Sequence, residues 1–228
     1  MANNDFSSER AINLEQKCLC VLVLDVSGSM GGNPIIELNK GLQEFYADIS
    51  SDPTTSQRLE VAIVTFSHVV KTVQPPALVE HFTMPRLTAN GSTAMVDAVM
   101  EAIDIVDARK AWYKQTNQSY YRPWIVLMTD GEPDSDQNVS MLANQIKQDT
   151  ANKRYQFMPI GVGGQVNMNI LNQIKGNIPP TKLQGTKFSS FFEWLSASMG
   201  TIVSPGAGNQ VNISAGAENW MDKIEINP

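Results

Sequence analysis

Short apolar runs alternate with longer amphipathic ones along this chain, and that alternation most limits what it can fold into. CLCVLVLD, residues 18–25, is too short for a helix and rich in Val and Leu. It reads as a strand buried on both faces, the kind found in parallel sheets. NPIIELNKGLQEFYADIS follows, with Ile35, Leu38, Leu42, Phe45 and Ile49 three or four residues apart. That is one helical stripe, with Pro34 suitably in the first turn. RLEVAIVTFS (58–67) is a second strand, and VVKTVQ (69–74) reads as a short edge strand folding back on it. Residues 75–93 hold three prolines and read as an extended loop. Helical spacing returns at Met95, Val99, Ile103 and Val106. RPWIVLMTD (122–130) repeats the buried strand ending in an acid. A helix at 138–153, a strand at 155–163, a short helix at 167–174, an edge strand TKLQ at 181–184 and a helix at 188–199 complete the series.

Strand and helix in strict alternation predict an α/β fold: a Rossmann-like, doubly wound, mainly parallel sheet with one short antiparallel edge strand and helices on both faces. The 228 residues fit one large domain. The expected division is a polar N-terminal segment (1–16), a domain (17–200) and a tail (201–228) in which NQVNISA could add a strand. The aromatic cluster Phe188, Phe191, Phe192 and Trp194 is expected in the core.

Composition narrows the function. A net charge of −6 argues against a nucleic-acid or anionic-membrane surface, which depends on clustered Lys and Arg. No segment approaches the roughly 18 apolar residues of a membrane span, and no apolar leader is visible, so a cytoplasmic location is expected. Cys18 and Cys20, the two cysteines, fall on one face of a strand about 6–7 Å apart, too far for an unstrained disulfide. They read as small buried hydrophobes, with no further Cys/His cluster to complete a zinc site.

In doubly wound sheets the loops at the carboxyl ends of the strands gather functional groups at one edge. Asp25 ends the first strand in LDVSGSMGG, with Ser27 and Ser29 behind it, and Asp130 ends a later one. Between them LTANGSTAMVDA carries Thr93 at a helix start. Three loops therefore offer oxygen ligands with no His or Cys nearby. Oxygen-only ligands suit a hard cation such as Mg²⁺, with Mn²⁺ or Ca²⁺ as alternatives. Capping of a helix start explains Ser29 or Thr93 singly, but not three loops together. The acids of EPDSD (132–136) either extend the site or stand in solvent, and solvation is the expected state. His68 and His81 read as isolated, locally bonded histidines.

Asp25-Val26-Ser27-Gly28-Ser29, Thr93 and Asp130-Gly131, in that order, resemble the metal-ion-dependent adhesion site of von Willebrand factor A (VWA) domains over roughly residues 17–200. The resemblance implies that Ser27, Ser29 and Thr93 are metal ligands and that Asp25 and Asp130 bind directly or through water. It also implies that an acidic residue of a partner protein takes the open position. LDVSGSMGGNPIIELNKGLQ, LTANGSTAMVDAV and VLMTDGEPDS look like the TerY-like bacterial VWA proteins, stand-alone domains found with tellurite-resistance systems and kinase–phosphatase pairs, which makes a kinase or phosphatase an expected partner. Two other readings stay open. In one, Asp25 is the nucleophile of a Mg²⁺-dependent phosphoryl-transfer enzyme, although such enzymes need an acid two residues on, where Ser27 stands. In the other, the domain is a VWA subunit of an AAA-type chelatase or co-chaperone machine. A P-loop lacks its lysine, and neither histidine is placed as the base of a serine nucleophile. A non-enzymatic binding module is expected.

Overall fold

The structure, a computed structural model, describes residues 4–11, 13–164, 166–204 and 217–221. Six strands form one sheet in the order β3-β2-β1-β4-β5-β6. They are β1 (Cys18–Asp25), β2 (Leu59–Phe66), β3 (Val70–Leu78), β4 (Trp124–Thr129), β5 (Gln156–Gly161) and β6 (Thr181–Lys182). All neighbours run parallel except β3, which is antiparallel to β2. The α-helices among the described residues are α1 (Asn33–Ser51), α2 (Pro53–Arg58), α3 (Met95–Gln115), α4 (Val139–Ala151), α5 (Met168–Gln173) and α6 (Phe188–Val203). The doubly wound α/β reading holds.

Because side chains alternate across a strand, β1 feeds two cores. Cys18, Cys20, Leu22 and Leu24 face Leu38, Leu42 and Phe45 of α1 and Phe188, Phe191 and Phe192 of α6. Leu19, Val21 and Val23 face Met95 and Val99 of α3 with Leu142 and Ile146 of α4. Every residue of β1, β2 and β4 is buried, which is why β1 and β4 read as nearly continuous apolar runs. Both cysteines are free and buried, and burial pushes the Cys18 thiol up to about 12. The close approach of α1 to α6 passes over Gly41, where a Cβ would stand 2.8 Å from the Phe192 ring.

Two elements differ from expectation. The edge strand β3 has nine residues and runs through Pro75 and Pro76, beyond the strand 69–74 that the sequence pattern predicts. Its register with β2 slips between Val61↔Ala77 and Ile63↔Gln74, so both prolines fall in the bulge. On an edge strand their missing N–H costs no ladder bond there. The short helix α2 has no apolar stripe to announce it. It forms because the Asp52 carboxylate accepts from the Thr55 N–H and Pro53 occupies its first turn.

Described residues near both ends of the chain pack onto the domain. Phe6 is buried beside Trp112 and Tyr113, and the Trp112 indole N–H donates to the Glu9 carbonyl. Residues 217–221 return to the sheet: Leu183 bridges Met221 in antiparallel fashion beyond β6, and Trp220 meets Phe191 edge-on at 4.9 Å. The NQVNISA segment lies outside the described residues. Among the described residues no helix is long and apolar enough to cross a membrane.

Candidate functional site at the carboxyl ends of β1 and β4

The sheet order puts β1 between β2 and β4, so the loops leaving β1 and β4 meet at one edge. The Asp25 side chain, wholly buried, is held from both sides. Its Oδ1 accepts from the Ser27 N–H at 2.8 Å and its Oδ2 from the Thr129 hydroxyl at 2.6 Å. Ser27 starts a single 3-10 turn, Gly28–Met30, which brings the Ser29 Oγ to 3.0 Å from the Ser27 Oγ. The Ser29 hydroxyl then donates to Asp130 Oδ1 at 2.7 Å. Thr129, Asp25, Ser27, Ser29 and Asp130 thus form one continuous hydrogen-bonded chain across two strand ends.

Thr93 arrives from a third loop. The Gly28 N–H donates to the Gly91 carbonyl at 2.9 Å and the Asn90 N–H to the Val26 carbonyl at 2.8 Å, which ties this loop to the end of β1. Gly91 takes φ +79°, and a Cβ there would lie 2.2 Å from His68 Nδ1, so only glycine fits. His68 itself lies 3.4 Å from the Ser67 hydroxyl, the local bonding expected of it. Thr93 is buried, and its Oγ1 would lie 3.8 Å from a Cβ built on Gly131, the residue after Asp130. The Thr93 hydroxyl has no hydrogen-bond partner among the described residues. All five residues singled out from the sequence therefore come to one edge, four in a bonded chain and Thr93 beside them.

The site's electrostatics follow from its burial. Loss of water raises the Asp25 carboxyl above its usual value, against the opposing bonds from Ser27 and Thr129, and nearby Asp130 raises it further. Asp130 is also raised by burial, offset in part by Ser29. Among the described residues no group of three or more His, Cys, Asp or Glu could hold a metal. The oxygen set is two carboxylates and three hydroxyls, which fits a hard cation and not zinc.

Three residues around the site went unrecognised in the sequence. Thr129 locks Asp25, and its only sequence signal is a hydroxyl one residue before the strand-end acid. Asp134 is no solvated loop acid: its carboxylate accepts from the Ser92 hydroxyl at 2.7 Å and the Thr93 N–H at 3.1 Å, while its own N–H donates to the Thr93 carbonyl at 3.0 Å. Gln137 caps α3 from outside, its Oε1 accepting from the N–H groups of Val96 and Asp97 at 2.8 and 3.1 Å. Helix α3 has no side-chain cap of its own, so the 131–137 loop supplies one.

Comparison with known proteins agrees with this architecture. The curated relatives include the mouse inter-alpha-trypsin inhibitor heavy chain 4, 24% identical over 170 residues, and its human counterpart, 26% identical over 168. Each alignment takes in 68% of this chain but only 16% and 17% of the relative. Solved structures of similar fold include the vWF domain of the type V pili tip protein Mfa5 from Porphyromonas gingivalis. Its TM-score is 0.60 at 11% identity, over 88% of this chain and 99% of that one. The ArnB paralog VWA2 from Sulfolobus acidocaldarius superposes with a TM-score of 0.54 at 16% identity, over 83% of this chain and 46% of that one. At such identities the likeness is one of fold. The von Willebrand factor type A domain profile matches residues 20–193, most of the chain, and this protein belongs to that family.

Proposed function

We propose that this domain is a metal-dependent protein-binding module. Asp25, Ser27, Ser29, Thr93 and Asp130 hold Mg²⁺, or Mn²⁺ or Ca²⁺ in its place, and an Asp or Glu of a partner protein completes the coordination. The family is commonly a protein-interaction and adhesion module, and the metal dependence is our reading of this chain's own residues. The observation that carries it is the hydrogen-bonded chain from Asp25 through Ser27 and Ser29 to Asp130, with the unpartnered Thr93 hydroxyl beside it. A bound cation would supply a positive charge with open coordination. The protein's part is to hold neutral hydroxyls in place and to keep Asp25 back from the surface, so that much of the cation's charge faces the partner.

The same geometry disfavours Asp25 as a phosphoryl-transfer nucleophile. Both its oxygens accept bonds from protein donors and the side chain is wholly buried, so a substrate has no approach to it from solvent. Partner identity follows the resemblance to TerY-like proteins, so a kinase or phosphatase partner is the finer proposal. Calorimetric titration with Mg²⁺ and Mn²⁺ tests the core claim. Binding heat and a raised Tm are expected for the wild type, with affinity reduced at least about tenfold, roughly 1.4 kcal/mol, in Thr93→Ala. Neither heat nor a Tm shift in the wild type would remove the metal site. Pull-downs from cell extract in Mg²⁺ and in EDTA, read by mass spectrometry, then identify the partner and show whether its capture needs the metal.

A further inference from the structure

Beside the oxygen cluster a groove of about 570 Å³ runs between α1 and the segment that leads into the Thr93 loop. Ile35 and Ile36 line one wall and Leu87 and Ala89 the other, with Lys40 and Arg86 also lining the groove. Ile36 is 62% exposed, unusual for a large apolar side chain in this molecule. Among the described residues no acidic one lines the groove, although the chain as a whole carries −6. Lys40 shares its charge with Glu44 across 3.7 Å, whereas Arg86 has no acidic partner among the described residues.

The groove is preformed. Asn39 donates to the carbonyls of Ile35 and Leu87 at 2.7 and 2.9 Å, and its Oδ1 accepts from the Leu87 N–H at 2.7 Å. One side chain thereby fixes the two walls against each other. Further along, Tyr46 and Gln43 bond to the carbonyls of Phe82 and Met84. A groove held open in this way loses little conformational freedom when it is filled.

Its position relative to the oxygen cluster follows from chain connectivity. Ala89 is bonded to Asn90, whose N–H reaches the carbonyl of Val26, the residue after Asp25. Adjacent Cα atoms are about 3.8 Å apart, so the groove's near end lies on the order of 10 Å from the end of β1. An extended peptide advances about 3.3 Å per residue. Two to four residues therefore cover that span.

We infer that this groove is the second half of the partner-binding site, taking a Leu- or Phe-like side chain two to four residues from the Asp or Glu that reaches the oxygen cluster. This rests on the metal-dependent reading above. The occupant is an extended acidic–apolar segment of another protein: the apolar side chain fills the groove's near end, beside Ala89 and Ile35, and a further acid meets Arg86. Carboxylates on the partner suit both halves at once, since the groove's charges have the same sign as the cation proposed beside it.

The test uses immobilised nine-residue peptides in a Gly–Ser background. Each carries one Glu and one Leu or Phe at separations of one to six, with Glu-only and Leu-only controls, probed with the intact protein in Mg²⁺ and in EDTA. Separations of two to four are expected to bind at least tenfold more tightly than Glu alone. Ile36→Asp and Arg86→Glu, both at exposed positions, should abolish that gain while leaving the calorimetric Mg²⁺ signal unchanged. Equal binding of Glu-only peptides, no peptide binding at all in Mg²⁺, or unchanged binding by both variants overturns the groove. The two proposals fail differently. Mg²⁺ heat without any gain from Leu sinks the groove alone. Groove-dependent binding that survives EDTA, with no Mg²⁺ heat, sinks the metal and leaves the groove standing.

Discussion

Asp134 holds the loop that presents Thr93, yet contributes none of the five oxygens assigned to the cation. Its two bonds to the Thr93 backbone and one to the Ser92 hydroxyl fix the stretch of main chain that carries the threonine hydroxyl. In Asp134→Ala the Thr93 N–H and the Ser92 hydroxyl lose their acceptor while every ligand remains. We expect Mg²⁺ affinity to fall about tenfold, a cost of about 1.4 kcal/mol, with faster amide exchange at Thr93. Asp134→Asn should recover part of the loss, because its carbonyl can still accept from the Thr93 N–H. Unchanged affinity in Asp134→Ala would mean that the clasp plays no part in positioning. The five oxygen-bearing residues were legible in the sequence because each sits at a strand end or helix start, where local pattern is strong. Asp134 and Gln137 were not, because their roles exist only once the β4–α4 loop folds across the start of α3, and Thr129 was not, because it meets Asp25 only once β1 and β4 pair.

At the scale of elements, β2 and α3 are joined by a buried ion pair. Arg109 meets Glu60 through two bonds, Nε to Oε2 at 2.8 Å and a terminal nitrogen to Oε1 at 2.7 Å, and the Tyr113 hydroxyl also donates to Glu60 at 2.6 Å. The guanidinium lies over the Trp112 ring at 3.9 Å. Removing one partner strands a charge in a dry interior, so Arg109→Ala should lower unfolding free energy by about 3–5 kcal/mol in a denaturant titration. A loss below 1 kcal/mol would mean that water reaches Glu60. A milder effect belongs to α2. Bonds from Thr55 hold the Asp52 carboxyl below its usual value of 3.8. A native value below the unfolded one gives stability that is present above about 3.8 and lost as pH falls through the native value. Asp52→Ala should therefore cost about 1 kcal/mol at neutral pH, and the two melting curves should converge in acid. A constant gap down to pH 2 would assign the effect to something other than the cap. Helices α1 and α3 and strands β1 and β4 were legible because periodicity and burial act over many residues. Helix α2 and the second half of β3 were not. The first rests on one capping side chain, and the second on a tertiary allowance for two prolines at a sheet edge.

The whole molecule is a sheet between two apolar layers, and none of the five oxygen-bearing side chains belongs to either layer. Losing the Asp25 carboxylate leaves the Ser27 N–H and the Thr129 hydroxyl short of an acceptor, at about 1–3 kcal/mol. It also removes a carboxyl whose ionisation burial opposes. Asp25→Ala is therefore expected to keep native far-UV circular dichroism and a single cooperative transition at room temperature. An unfolded variant would make the cluster structural. Among the described residues both margins of the sheet are blunted as well. On one side β3 is bent by its bulge and carries Lys71, Pro75 and Pro76; on the other, two-residue β6 gives way to the Leu183–Met221 bridge. Such margins interrupt the row of free N–H and C=O groups that another strand would join. Copies of this domain can therefore be crowded on a surface or strung in tandem without fusing sheet to sheet, and light scattering should stay flat as concentration rises.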